Sequence, residues 1–186
     1  MTSHRDVSIG EKIKALRAQL TQPGAPFELQ QLDLLDGRSV TGYRNAFRTL
    51  PQLINAGRAH GAAEFMVYDQ DRWTFDRFYQ AVDALASRLQ KEHGLQPGDR
   101  VAIAMRNRPE WAVAFAAIAL TGALPVPLNS FGLQQELVSN IEDIQPSMMI
   151  CDADRYQRVK EVLPNSGLKT VVVDGNGGDI EWQALI

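Results

Sequence analysis

Asp152, Asp154 and Asp174, the run Gly175-Asn176-Gly177-Gly178, three histidines and Cys151 are the residues of this sequence whose types could do chemistry. Closely spaced carboxylates hold divalent cations, and a glycine-rich turn after a strand can cradle a phosphate through its backbone amides. Each of these groups also has a purely structural explanation. Asp152 stands where it would cap a helix, and Asp174 where it would form a turn. The glycine run lacks the G-x-G-x-x-G spacing, and no lysine follows it to meet a phosphate, so it reads as a turn after a strand. His4, His60 and His93 lie in a tail or at helix ends with no partner at ligand spacing. Cys151, with no adjacent histidine or cation to favour a thiolate, reads as a small buried hydrophobe. Arg106 and Arg108 flank a helix cap and are expected in solvent. These residues assign neither a catalytic group nor a metal centre.

The elements that would position them are regular from Thr74 onward. Thr74 caps a helix whose apolar face is Phe75, Phe78, Val82, Leu85 and Leu89. Strand-like runs follow at residues 101–105, 124–128, 148–151 and 170–173, with helices between them at 109–121, 133–144 and 155–163. Strand–helix alternation with crossovers of this length predicts a parallel sheet. The helix over 109–121 contains ten consecutive apolar residues, Trp111 to Leu120, so it is expected to be covered on most sides. Asn107 reads as its N-cap, Glu110 as the N3 partner of a capping box, Pro109 as its first turn and Gly122 as its stop.

Upstream, residues 9–20 predict a one-faced helix that Pro23-Gly24 ends, and residues 27–47 have no clean period and read as a wrapped arm or loop. A second amphipathic helix is expected over 47–60, then a hairpin around a polar turn at Asp69 to Arg72. The expected organisation is a helical arm over 1–45 and an α/β unit over 46–186. A formal charge of −3 on 186 residues, without clustered Lys and Arg, argues against nucleic acid or an anionic membrane as the main partner. A single cysteine permits no internal disulfide, the first residues have no apolar core like that of a signal peptide, and the longest apolar run is about half what a bilayer needs. A cytoplasmic setting is expected.

The stretch from Leu95 to Asp152 resembles the N-terminal part of the adenylate-forming acyl-CoA synthetase superfamily. The matching marks are Gly98-Asp99-Arg100-Val101, Asn107 with Pro109-Glu110, Gly122-Ala123, Val126-Pro127-Leu128-Asn129, Glu136-Leu137 and Cys151-Asp152, in this order and spacing. The segment from Asp69 to Leu89 also resembles the family, although Arg77 and Phe78 replace its usual Glu-Leu pair. The resemblance extends from about Phe47 to about Val173.

It implies an open, mostly parallel α/β sheet with helices on both faces, part of the large N-terminal domain of such synthetases and preceded by the helical arm. It further implies a parent enzyme that uses ATP and Mg²⁺ to make an acyl-adenylate, then CoA to make a thioester. The family's Ser/Thr/Gly-rich loop ending in Pro-Lys, its Tyr-Gly-x-Thr-Glu segment and its C-terminal lysine are not among these residues. The chain is therefore expected to be a scaffold portion, truncated before the phosphate loop and inactive alone. Its expected partners are the remainder of the synthetase and a second copy of itself. Family members that contact CoA through the loop after the second strand imply CoA contacts at Ser130, Phe131 and Gly132, with Arg158 meeting a phosphate. The competing expectation is a self-contained α/β domain that binds a ligand or another protein at its strand ends.

Overall fold

Short β-branched and small-residue strands separated by helices cannot bury both sheet faces alone, so the helices must cover them. The computed structural model describes residues 8–34, 36–163 and 167–186. It divides into two compact units, Met1–Arg48 and Thr49–Ile186.

In the first unit, α1 (Ile9–Thr21) starts at a capping box in which Ser8 Oγ accepts the Glu11 N–H and the Glu11 carboxylate accepts the Ser8 N–H at 3.0 Å. The segment expected to be an arm or loop is instead an antiparallel hairpin, β1 (Leu29–Asp33) with β2 (Ser39–Tyr43). Its period is hidden because polar residues supply much of the pairing; Gln31 Nε2 donates to Thr41 Oγ1 at 3.0 Å. Asp36-Gly37, with Gly37 at φ +82°, is the turn signal that marks it.

In the second unit, α2 (Leu50–Ala56) is shorter than the expected helix, because the Thr49 hydroxyl caps it and Gly57–His60 tightens into a 3₁₀ turn. The hairpin β3 (Glu64–Tyr68) with β4 (Asp71–Thr74) follows as expected, on a narrower turn where Asp69 takes φ 52°. Thr74 Oγ1 caps α3 (Phe75–Lys91), which buries Phe78, Tyr79, Val82, Leu85 and Leu89.

The sheet is built from β5 (Arg100–Ala104), β6 (Leu124–Pro127), β7 (Met148–Cys151), β8 (Lys169–Val172) and β9 (Ile180–Glu181). Between them run α4 (Pro109–Leu120), α5 (Gln134–Ile144) and α6 (Ala153–Val159). All pairs are parallel, in the order β6-β5-β7-β8-β9. The fifth strand escapes sequence reading because two residues cannot display a period. Prolines 125 and 127 are tolerated in β6 because it is an edge.

Alternate residues sort to the two faces. Val101, Ile103, Met148, Ile150 and Val171 pack with α3 and α4, while Ala102, Ala104, Met149, Cys151 and Val172 pack with α5 and α6. Helices therefore cover both faces. The start of α4 departs from the sequence reading: its N-cap is Arg108, not Asn107, and no side chain caps it. Pro109 is the reason, since the residue before a proline is driven out of the helical region; Arg108 lies at φ −159°, ψ 162°.

Ala114 and Ala117 of α4 have no exposed surface. Ala117→Asp should lower stability by about 3 kcal/mol or more, because an unpaired carboxylate would be forced into the core. Urea unfolding checks this; an unchanged midpoint would mean that α4 is not packed against the sheet.

Candidate functional site

In this sheet the chain steps from β5 to β6 on one side and crosses back through α5 to β7 on the other. The crevice at the C-terminal ends of β5 and β7 is thus a topological switch point, where open parallel sheets place ligands. Here the chain's own side chains bridge it. Asp152, directly after β7, accepts the backbone N–H of Arg106, two residues beyond β5, at 3.0 Å. The same carboxylate caps α6 through the Arg155 N–H and lies 3.0 Å from the Arg155 guanidinium. Both residues are buried.

The Arg155 guanidinium continues to the loop after β6, where its Nε donates to the Ser130 carbonyl at 2.6 Å and its Nη2 donates to the same oxygen. One helical turn on, Arg158 Nη1 donates to the Gly132 carbonyl at 2.7 Å, and Nη2 donates to Asp154. Asn129 fixes the entry, accepting the Phe131 N–H at 3.0 Å and donating to Glu136 at 2.9 Å. The loop is held at both carbonyls that flank Phe131, whose side chain is 70% exposed. Above its ring stands the Arg106 guanidinium, 4.4 Å from the centroid. No ion pair to Arg106 occurs among the described residues. Tyr68, Arg106, Asn107, Ser130 and Phe131 line a cavity of about 380 Å³.

The structure therefore brings Ser130, Phe131, Gly132 and Arg158 together at one strand end. It also qualifies their chemistry. Arg158 is engaged with the Gly132 carbonyl and Asp154, so it braces the loop. A Cβ at Gly132 would stand 3.1 Å from the Asn129 carbonyl and the Glu136 carboxyl, so the close approach that needs glycine is made within the chain. Sequence reading gives Arg155 no role, names Asn129 only as a family mark, and expects Arg106 in solvent, where it is exposed but stands over Phe131. The legible signal was a helix-capping aspartate followed three residues later by arginine.

A second cluster closes the neighbouring strand end. Arg108, expected in solvent, is a side chain only 16% exposed; it meets Glu110 at 2.8 Å and also Asp174. Two carboxylates draw it in. Burial works against the charge of Arg108, but Glu110 and Asp174 more than offset this and raise its pKa. Burial likewise works against the Asp174 carboxylate, yet the Ala153 N–H at 2.7 Å and then Arg108 hold it below the usual carboxylate range. Asp152, Asp154 and Asp174 are all committed to arginines or backbone amides, so the geometry does not suit them to a metal. Burial pushes the Cys151 thiol far up, helped by Asp152 and Asp174, which suppresses a thiolate. The glycine run folds against α6: Gly177, at φ +108°, packs on the Tyr156 ring, and Tyr156 donates its hydroxyl hydrogen to the Gly177 carbonyl.

Residues 54–184 match the family model described as AMP-binding enzyme. The chain is 34% identical over 125 residues to a 2-succinylbenzoate–CoA ligase of Bacillus velezensis, covering 65% of this chain and 25% of that one. It is 26% identical over 163 residues to a carboxylic acid reductase of Mycobacterium marinum, covering 86% of this chain and 13% of that one. Among solved structures, a Rhodopseudomonas palustris protein assigned as a long-chain-fatty-acid CoA ligase superposes with TM-score 0.67 at 29% identity, over 76% of this chain and 36% of that one. The chain thus spans about a quarter to a third of such ligases.

Removing one partner of a buried pair strands the other. Arg155→Met should therefore cost about 3–5 kcal/mol in urea unfolding, and Arg155→Lys should recover only part of it, because an ammonium cannot reach Asp152 and Ser130 in the same fork geometry. Stability equal to the unaltered chain would show that the pair does not hold the loop. Asp174 has its pKa depressed on folding, so its contribution is present above the ordinary carboxylate pKa near ~4 and lost as pH falls through the lower folded value. Asp174→Asn should flatten the acid limb of the stability curve below about pH 4, and an unaltered limb would remove Asp174 from the ion-pair network.

Proposed function

The chain belongs to the AMP-binding enzyme family, and from that premise we propose that it forms the N-terminal portion of an ATP-dependent acyl-CoA synthetase. In the proposed parent reaction a carboxylate oxygen attacks the α-phosphorus of ATP and pyrophosphate leaves. The CoA thiolate then attacks the acyl carbon and AMP leaves, giving the thioester. The observation that carries the reading is the extent of the family match, which takes in the whole five-stranded sheet, both helix layers and the Ser130–Gly132 loop as one body.

Within that reaction these residues hold and shape. The sheet and its helices set the strand-end loops, and Asp152 and Arg155 keep the crevice closed. ATP and Mg²⁺ supply the activated phosphate, and the 186 residues contain no Ser/Thr/Gly-rich loop ending in Pro-Lys to receive it. The working enzyme requires the remainder of the synthetase as partner. The exposed Phe131 ring is the group in this chain suited to stack on the adenine end of CoA, with the backbone at Ser130 and Gly132 beside it and Arg158 bracing the loop. We assign the protein to the cytoplasm and expect it to self-associate. Among the described residues no helix is long and apolar enough to cross a membrane.

The 186-residue chain alone should give no carboxylate-dependent exchange of pyrophosphate into ATP, whereas a chain extended through the phosphate loop and the catalytic lysine should give it. Exchange by the short chain, or its absence from the extended one with a broad panel of carboxylates, would sink the proposal. Phe131→Ala should weaken CoA binding in calorimetry by about tenfold without changing the melting temperature, since one base stacked on an aromatic ring is worth that much. Equal affinity would place CoA elsewhere.

A further inference from the structure

Helix α1 carries apolar residues at Ile9, Ile13, Leu16 and Leu20, spaced four, three and four apart, which puts them on one face. Ile9, Ile13 and Leu16 are 76%, 62% and 55% exposed. Helical geometry sets Lys12 on one flank of this stripe and Arg17 on the other, with Lys14 farther round on the Arg17 side. Glu11, the helix's one carboxylate, falls on the opposite face and is held at Ser8 by the capping box.

A second feature lies at the end of α1. The Phe27 N–H donates to the Leu20 carbonyl at 3.1 Å, which ties Phe27 to the end of α1 where the stripe finishes. Phe27 and Tyr43 meet edge-on with centroids 6.0 Å apart, and both are more than half exposed. A tyrosine and a phenylalanine open to solvent, on a segment whose backbone is tied to the end of α1, are suited to the boundary between headgroups and acyl chains. The nearby Arg44 is already paired with Glu28, so the local positive charge is that of the helix.

We infer that α1, with Phe27 and Tyr43, docks on an anionic lipid surface, the apolar stripe entering the interface and Lys12 and Arg17 meeting lipid phosphates. Charge selects this occupant. A second copy brought face to face about a two-fold axis would set these cations against their own images, with no carboxylate on that face to answer them. An anionic membrane presents the opposite sign, and each nearby cation strengthens attachment. The chain's overall charge of −3 does not oppose this, because charges more than about 10 Å apart are largely screened at physiological salt. The inference stands on the first unit alone and survives or fails independently of the synthetase reading.

The experiment is co-sedimentation of the intact 186-residue chain with vesicles of phosphatidylcholine alone and of an equimolar mixture with phosphatidylglycerol, at low and high salt. Binding is expected only to the mixture, and salt should weaken it. Lys12→Gln and Arg17→Gln should each reduce the partition coefficient about fivefold, and Ile13→Ser with Leu16→Ser about tenfold or more. These side chains are exposed, so thermal melts of the variants should match the unaltered chain. Leu133→Ser, at an equally exposed leucine in the second unit, should leave binding unchanged. Failure to sediment, equal binding to neutral vesicles, or loss of binding with Leu133→Ser and not with the α1 variants would overturn the inference. A dimer in light scattering that Ile13→Ser with Leu16→Ser dissolves would also overturn it, assigning the face to self-association.

Discussion

The buried pair of Asp152 with Arg155 joins four pieces of chain that are far apart in sequence. Asp152 ends β7, caps α6 and accepts an amide proton from the segment after β5, while Arg155 reaches the loop after β6. A carboxylate removed from water is tolerated only when its lone pairs are answered, and here two backbone N–H groups and a guanidinium answer them. The pair therefore sets the relative position of β5, β6 and β7 at the end of the sheet where ligands would arrive. Phe131 can be both exposed and ordered because the carbonyls before and after it are held from below by Arg155 and Arg158.

The sheet beneath depends on a simpler constraint. A parallel sheet must be covered on both faces, and in β5 here larger residues point toward α3 and α4 and alanines toward α5 and α6. Val101, Ile103 and Ile150 fill one layer, while Ala102, Ala104 and Cys151 let the opposite layer approach closely. Helix α4 is apolar around most of its circumference because the sheet is on one side and α2 and α3 pack on others. Trp111 and Phe115, stacked with centroids 5.3 Å apart, remain partly open and line an apolar cleft with Leu53 and Phe65.

The first unit obeys different rules. Its hairpin is two-stranded with only two apolar cross-strand pairs, Leu29 with Tyr43 and Leu32 with Val40, and its helix buries none of its residues. Such a unit gains little from a core, so its order rests on the capping box at Ser8, the turn at Gly37 and the Glu28–Arg44 pair. Its basic helix also shows why a chain-wide charge can mislead about partners: the sum of −3 conceals a helix on which three cations face one carboxylate.

The sequence alone determined the alternation of strands and helices from Thr74 onward, the parallel sheet, the buried α4 and the family, because each depends on local period, turn residues or ordered short motifs. The family resemblance further singled out Ser130, Phe131 and Gly132 in the loop after the second strand and Arg158 on the helix after the third. Tertiary structure decided the rest. The roles of Arg108 and Arg155 depend on carboxylates and carbonyls brought from distant elements, which no local pattern reveals. The two-residue β9 and the polar hairpin carry too few apolar positions to announce themselves, and the cap at Arg108 in place of Asn107 follows from backbone sterics at Pro109 rather than from cap preference. Period and turn chemistry are written between neighbours in sequence, whereas burial of a charge is settled only by what the folded chain places around it.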